Sequence, residues 1–187
     1  MKEIEILVKV LESKKDALKK LSRFRKDHVA KIVDKYYYHP SRKGMRPSGA
    51  KSSTEMLRIR KKDGKTLVTY KKDVFAGKKW LYGDEYETTI GDAEIVSEIF
   101  EKLGFKPLVV VNNSRTIYYH NDFEICLEDV KNLGLFLEIE YVGKNSKNPT
   151  AIQKKIFDLI DATGINVSKE VNQGKAEMLY RKENSKR

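Results

Sequence analysis

Charged side chains recur two apart along this chain, on segments that otherwise alternate with apolar residues. Glu3 and Glu5, Arg58 and Arg60, Glu85 and Glu87, and Glu138 and Glu140 are each separated by a single apolar or aromatic residue. Glu124, Cys126 and Glu128 follow the same rhythm, and Lys71 and Arg115 occupy similar settings. Side chains two apart in a β-strand point to one face, so each set is a charged row backed by an apolar row. Like charges on adjacent strands repel, and the carboxylates at 124–128 and 138–140 therefore call for a cation nearby. Carboxylates of this kind bind a hard divalent cation such as Mg²⁺ or Mn²⁺. Arg and Lys grip phosphate oxygens, Arg through a bidentate fork. Brought together, the two sets could hold a metal–triphosphate and neutralise charge developing at phosphorus.

The elements that must position these residues are mostly strands. The N-terminal KEIEILVKV alternates strictly, with Glu3, Glu5, Leu7 and Lys9 on one face and Ile4, Ile6, Val8 and Val10 on the other. Ser13 is an expected N-cap for a basic helix in which Leu18, Leu21 and Phe24 recur at helical spacing. A strand follows over 28–38, ending in three tyrosines. Residues 39–54, rich in Pro, Gly, Ser and basic side chains, read as a mobile loop, either a lid over an anionic ligand or a disordered basic segment. Asp63-Gly64 marks a hairpin turn, and a further strand carries Glu85 and Glu87. Residues 91–103 read as an amphipathic helix with Ile95, Ile99, Phe100 and Leu103 as its apolar stripe. Three strands end near His120 and span about 123–130 and 135–142, with turns at Asn121-Asp122 and Lys131–Gly134. Helices are expected over about 150–162 and 174–182, with a frayed tail at about 183–187.

Roughly eight antiparallel strands and only a few helices make this an α+β chain, expected to form one unit over 1–187. A half-solvated sheet would also alternate. Neutral polar residues should then mix more freely into the polar faces, whereas here nearly every strand carries ionised ones. Closing the sheet into a β-barrel instead gives a charged lumen, with helices covering the apolar outside.

A net charge of +11 points to an anionic partner. The single cysteine, Cys126, excludes an internal disulfide and a multi-Cys zinc site, which fits a cytoplasmic setting. No apolar run is long enough for a membrane span, so no membrane partner is expected. No P-loop or dinucleotide-binding glycine motif is present, and the three histidines read as ordinary residues.

Glu3-Ile4-Glu5 resembles the ExExK signature of the CYTH superfamily, the triphosphate tunnel metalloenzymes, which include class IV adenylyl cyclases of the CyaB type and thiamine triphosphatases. The resemblance continues through DKYYY (34–38), LRIR (57–60), LVTYKK (67–72) and EYET (85–88). It is closest at SRTIYYHNDFEICLEDVKNLGLFLEIE (114–140), which is similar to the cyclase-like branch. It implies an eight-stranded antiparallel β-barrel with flanking helices, Mg²⁺ or Mn²⁺, and ATP or another triphosphate as the small-molecule partner. Carried over by position, Glu3, Glu5, Glu138 and Glu140 would be metal ligands, and Glu85 and Glu87 match a further acidic strand. Arg58, Arg60, Lys71 and Arg115 would bind phosphates, and Glu128 sits where the family has an acidic residue. Arg58, Lys71, Arg115 and Glu128 are thus the expected catalytic set, with Lys9 added as the stand-in for a missing cation. Two positions depart from the pattern: the Lys of ExExK is Leu7, and the Lys two before Arg115 is Asn113. Lys9 shares the face of Leu7 but lies about 6.6 Å further along.

Three functions follow as expectations. The first is an enzyme, either cyclising ATP to cyclic AMP and pyrophosphate or hydrolysing thiamine triphosphate, a nucleoside triphosphate or tripolyphosphate. The second is a binding protein with a weakened site, motivated by Leu7 and Asn113. The third is nucleic-acid binding by the basic residues of 14–26 and 42–51; it rests on charge alone and is not the expected partner. A homodimer is compatible with all three.

Overall fold

The computed structural model describes residues 2–48, 52–77 and 79–185. The strands are β1 (Lys2–Glu3), β2 (Glu5–Val10), β3 (Arg25–Tyr38), β4 (Glu55–Lys62), β5 (Lys65–Ala76), β6 (Lys79–Thr89), β7 (Lys106–His120), β8 (Phe123–Val130), β9 (Gly134–Tyr141) and β10 (Val167–Glu170). The helices are α1 (Lys14–Leu21), α2 (Ala93–Lys102), α3 (Pro149–Thr163) and α4 (Lys175–Asn184), with a 3-10 turn at Lys43–Met45.

All the strands join one antiparallel sheet in the order β1-β6-β5-β4-β3-β7-β8-β9-β2-β10. Its two ends are held by one stretch of chain. β1 pairs with β6 while β2, only Ile4 further on, pairs with β9. The N-terminal segment thus joins the β6 side of the sheet to the β9 side, and the sheet curls around a lumen. The expected eight-stranded barrel corresponds to β1 with β2 as one broken strand plus β3 to β9; the short β10 is additional.

Turn chemistry sets the register. Asp63 and Gly64 both take positive φ (51° and 74°), the pairing a type I′ hairpin requires. Registered partners then place the charged rows face to face: Asp34 opposite Arg60, Tyr36 opposite Arg58, Lys71 opposite Glu85 and Thr69 opposite Glu87. On the other wall Arg115 lies opposite Glu128, Cys126 opposite Glu138, and Glu5 opposite Glu140.

The apolar rows face outward and are covered by helices. Ile4, Ile6, Val8, Ile125, Leu127, Leu137 and Ile139 form one buried cluster with Ala17 and Leu21 of α1 and Ile152, Ile156, Leu159 and Ile160 of α3. Tyr37, Leu57 and Ile59 pack with Val96 and Phe100 of α2, the Tyr37 and Phe100 rings meeting edge-on at 5.2 Å.

Some boundaries differ from expectation. α1 ends at Leu21, because β3 begins at Arg25 and its first residues pair with Tyr119 and Tyr118 of β7; Phe24 is not helical. β5 runs on to Ala76 and turns at Gly77, which takes positive φ. The α2 stripe is rotated: Ile95, Ile99 and Leu103 remain exposed, while Val96 and Phe100 pack on the sheet. Within 39–54, Met45 is buried and Arg42 is ion-paired with Glu55, so this part of the expected loop is anchored; positions 49–51 lie outside the described residues. α4 extends to Asn184, into the expected tail, of which 186–187 lie outside the described residues.

Ile156, fully buried between α3 and the sheet, tests this packing. Ile156→Ala is expected to lower stability by roughly 2–5 kcal/mol in urea unfolding, from lost burial and the cavity it leaves.

Candidate functional site

Inside the lumen, cations and carboxylates are buried together. Asp34 accepts two hydrogen bonds from Arg60, from Nε at 2.7 Å and Nη2 at 2.8 Å, and lies 4.0 Å from Nη1 of Arg58. Burial would raise the Asp34 pKa, but the bonds and charge of Arg60 outweigh it and hold the carboxyl below its ordinary value. Arg58 donates from Nε to Thr69 at 3.3 Å, and its Nη2 approaches Glu87 at 3.7 Å and Glu85 at 4.0 Å. The Thr69 hydroxyl donates to Glu87 at 2.7 Å. Lys71 reaches across to Glu5 at 2.6 Å and is also ion-paired with Glu3.

On the facing wall Arg115 is ion-paired with Glu128 and, at 3.0 Å, with Glu138. The same two carboxylates receive the ammonium of Lys175 at 2.6 and 2.5 Å. Burial opposes ionisation of Glu138, yet Lys175 and Arg115 together hold its pKa well below the carboxylate range. Glu140 is the opposite case. It is pushed up to about 9, first by burial and then by Glu3, Glu5, Glu138 and Glu124. The acidic groups of this region outnumber Lys71, the cation that serves Glu3 and Glu5.

One side of the lumen is apolar. Leu7, Tyr36, Val109, Val111, Val130 and Phe136 form a buried cluster with Leu179 of α4. Ala30, Ile32, Ile117 and Cys126 form a second, on lumen-facing positions.

The profile of the CYTH domain family matches residues 1–173. The chain belongs to the CYTH family. A putative adenylate cyclase of Methanocaldococcus jannaschii is 34% identical over 173 residues, covering 91% of this chain and 93% of that one. The PH1012 protein of Pyrococcus horikoshii has a similar structure, with 27% identity, a TM-score of 0.77, and coverage of 94% of this chain and 98% of its own. A Hippeastrum protein described as a putative adenylyl cyclase with dominant triphosphatase activity shares the fold at 17% identity and a TM-score of 0.67, over 98% of this chain and 96% of its own.

In this CYTH protein the residues singled out by sequence fall in distinct places. Arg58, Arg60, Arg115, Glu128 and Glu138 face the lumen and are buried, Glu3, Glu5, Lys71, Glu85 and Glu140 face it half-buried, and Glu87 sits at an exposed position on the same face. Lys9, at the end of the same face, is exposed and stands apart from the cluster. Leu7, between them, belongs to the apolar cluster. Asn113 is buried, with no hydrogen-bond partner for its side-chain oxygen. Asp34 and Lys175 escaped sequence reasoning. Asp34 had a signal, two before Tyr36 on an alternating strand. Lys175 had none, because a lone Lys at a helix start gives no indication of what lies opposite it.

Among the described residues no three acidic groups converge as a ready-made metal site, since Lys71 lies between Glu3 and Glu5. The donor chemistry nonetheless fits a hard divalent cation. Burial first, and then the neighbouring carboxylates Glu3, Glu5 and Glu138, keep the proton on Glu140 at neutral pH, and a divalent ion relieves that crowding of negative charge as a proton does.

Two measurements follow. Asp34→Ala leaves Arg60 buried without its carboxylate and is expected to cost roughly 3–5 kcal/mol in urea unfolding. Glu140 binds its proton more tightly folded than unfolded, so metal-free stability falls as pH rises from the ordinary value of 4.5 through about 9. Glu140→Gln is expected to flatten that decline in thermal melts taken across this range, and an unchanged slope would show that Glu140 is not the group responsible.

Proposed function

We propose that this CYTH protein grips a triphosphate inside its barrel and cleaves it with a divalent metal, Mg²⁺ or Mn²⁺. The observation that carries the reading is the inward convergence of Arg58, Arg60, Lys71 and Arg115, each already engaged with carboxylates or, for Arg58, also with Thr69. A triphosphate presents the same kind of oxygens, so the cations can exchange carboxylate for phosphate without being desolvated anew.

Roles follow from position. Arg58 and Arg60 bind phosphate from one wall, Arg115 from the other, and Lys71 from beside the acidic rows. Glu128 is fully buried and paired with Arg115 and Lys175, which makes it a positioning residue for those two cations. Glu3, Glu5, Glu138 and Glu140, with Glu85 and Glu87 on the adjoining strand, are the groups that would hold the metal. A divalent ion there would supply charge neutralisation at the phosphate oxygens.

Cyclisation of ATP is the finer reading, supported by the M. jannaschii relative that is 34% identical. In that reaction the ribose 3′-oxygen bonds to the α-phosphorus, the bond from α-phosphorus to the bridging oxygen breaks, pyrophosphate leaves, and the hydroxyl proton passes to solvent or a carboxylate. Hydrolysis of a triphosphate is the second reading. It is favoured by the lumen itself, where the clamps described all address phosphate oxygens.

The test is product identification with Mg²⁺ or Mn²⁺ and ATP, thiamine triphosphate or tripolyphosphate. Cyclic AMP with pyrophosphate supports cyclisation, orthophosphate supports hydrolysis, and the absence of both products would overturn the enzyme reading. Arg115→Ala and Glu5→Gln are each expected to lower kcat/KM by roughly 100- to 1,000-fold, with circular dichroism showing a retained fold.

A further inference from the structure

The missing cation at position 7 and the unexpected cation at position 175 belong together. β2 carries Leu7 into the lumen directly opposite Glu138 of β9. α4 lies beyond residues 1–173, the segment that the family profile matches. Its residues 175 and 179 are one turn apart on the same helix face. Leu179 is 3% exposed and shares an apolar cluster with Leu7, Tyr36, Val109, Val111 and Phe136. One turn earlier, Lys175 places its ammonium 2.6 Å from Glu128 and 2.5 Å from Glu138, the carboxylates that also hold Arg115.

Resting on the triphosphate reading above, we infer that Lys175 is a phosphate-binding residue delivered into the lumen by the C-terminal helix, in place of the cation that position 7 lacks. Leu7 is part of the device. Its apolar side chain helps form the seat for Leu179, which fixes how far the helix enters and so where the ammonium sits. A lysine at 7 would put a charge into that seat and a further cation beside Arg115 and Lys175.

The helix has anchors other than Lys175. Glu177 is buried, is paired with Arg181, and accepts a hydrogen bond from the backbone N–H of Ser53 at 3.3 Å. Lys182 donates to the carbonyl of Asn132 at 2.6 Å. Removing the Lys175 ammonium therefore leaves α4 tethered, and Glu128 and Glu138 still paired with Arg115.

The experiment is calorimetric titration with tripolyphosphate, alongside thermal melts, of the wild type, Lys175→Ala, Lys175→Gln, Leu7→Lys and the double variant Leu7→Lys/Lys175→Ala. Loss of a charge-assisted contact is expected to weaken binding roughly 10- to 100-fold in Lys175→Ala. Lys175→Gln, which keeps a donor of similar reach, should show the loss if Ala destabilises the fold. The double variant should bind more tightly than Lys175→Ala, and Leu7→Lys alone should bring no gain over wild type. A wild type that binds tripolyphosphate while both Lys175 variants bind it equally well overturns this inference alone. A folded wild type that fails to bind tripolyphosphate removes the triphosphate reading and this inference with it. Weaker binding without recovery in the double variant makes Lys175 a support for the helix and overturns the replacement of position 7.

Discussion

An ionised side chain that faces into a closed barrel cannot recover its lost hydration from bulk water. It must find an opposite charge, a hydrogen bond, a proton or a ligand. The lumen uses the first three. Asp34 and Arg60 solve the problem with a two-point bond, Glu128 and Glu138 by sharing Arg115 and Lys175, and Glu140 by keeping its proton. The charges of the lumen are therefore neutralised from within, by one another and by a retained proton.

This constraint reaches into the scaffold. Mutual repulsion among the carboxylates of β2, β8 and β9 would spread these strands unless something held them. The apolar outer faces do so, since Ile6, Ile125, Leu137 and Ile139 are buried under α1 and α3. Burial on the outside thus offsets the cost of charge on the inside. The same alternation of side chains generates both faces, so neither can be altered without shifting the other.

Much of this was legible in the chain. Strict alternation over the N-terminal KEIEILVKV, looser alternation on either side of Asp63-Gly64 and over about 123–130 and 135–142, and the turns at Asp63-Gly64 and Asn121-Asp122 mark the strands and which of them are neighbours. The charged rows at Arg58, Arg60, Glu138 and Glu140 followed from the same period. Helix boundaries were harder: the basic stretch after Ser13 kept its helical spacing to Phe24, but pairing with β7 claimed Arg25 for a strand. Of the expected α2 stripe Phe100 packs, joined by Val96, while Ile95, Ile99 and Leu103 stay exposed, because an apolar helix offers more than one stripe and only the surface of β3 and β4 chooses between them.

Spacings of two to four residues are enough to set the alternating strands and to divide charged from apolar faces, so both can be read along the chain. Which charge meets which was decided by the tertiary structure alone. Lys9 lies four residues from Glu5 yet stays outside the cluster, whereas Lys175, 170 residues from Glu5 in the chain, enters it. The reason is that a strand spends about 3.3 Å on every residue, so position along it separates neighbours, while closure of the sheet and docking of a terminal helix bring distant residues within hydrogen-bonding range.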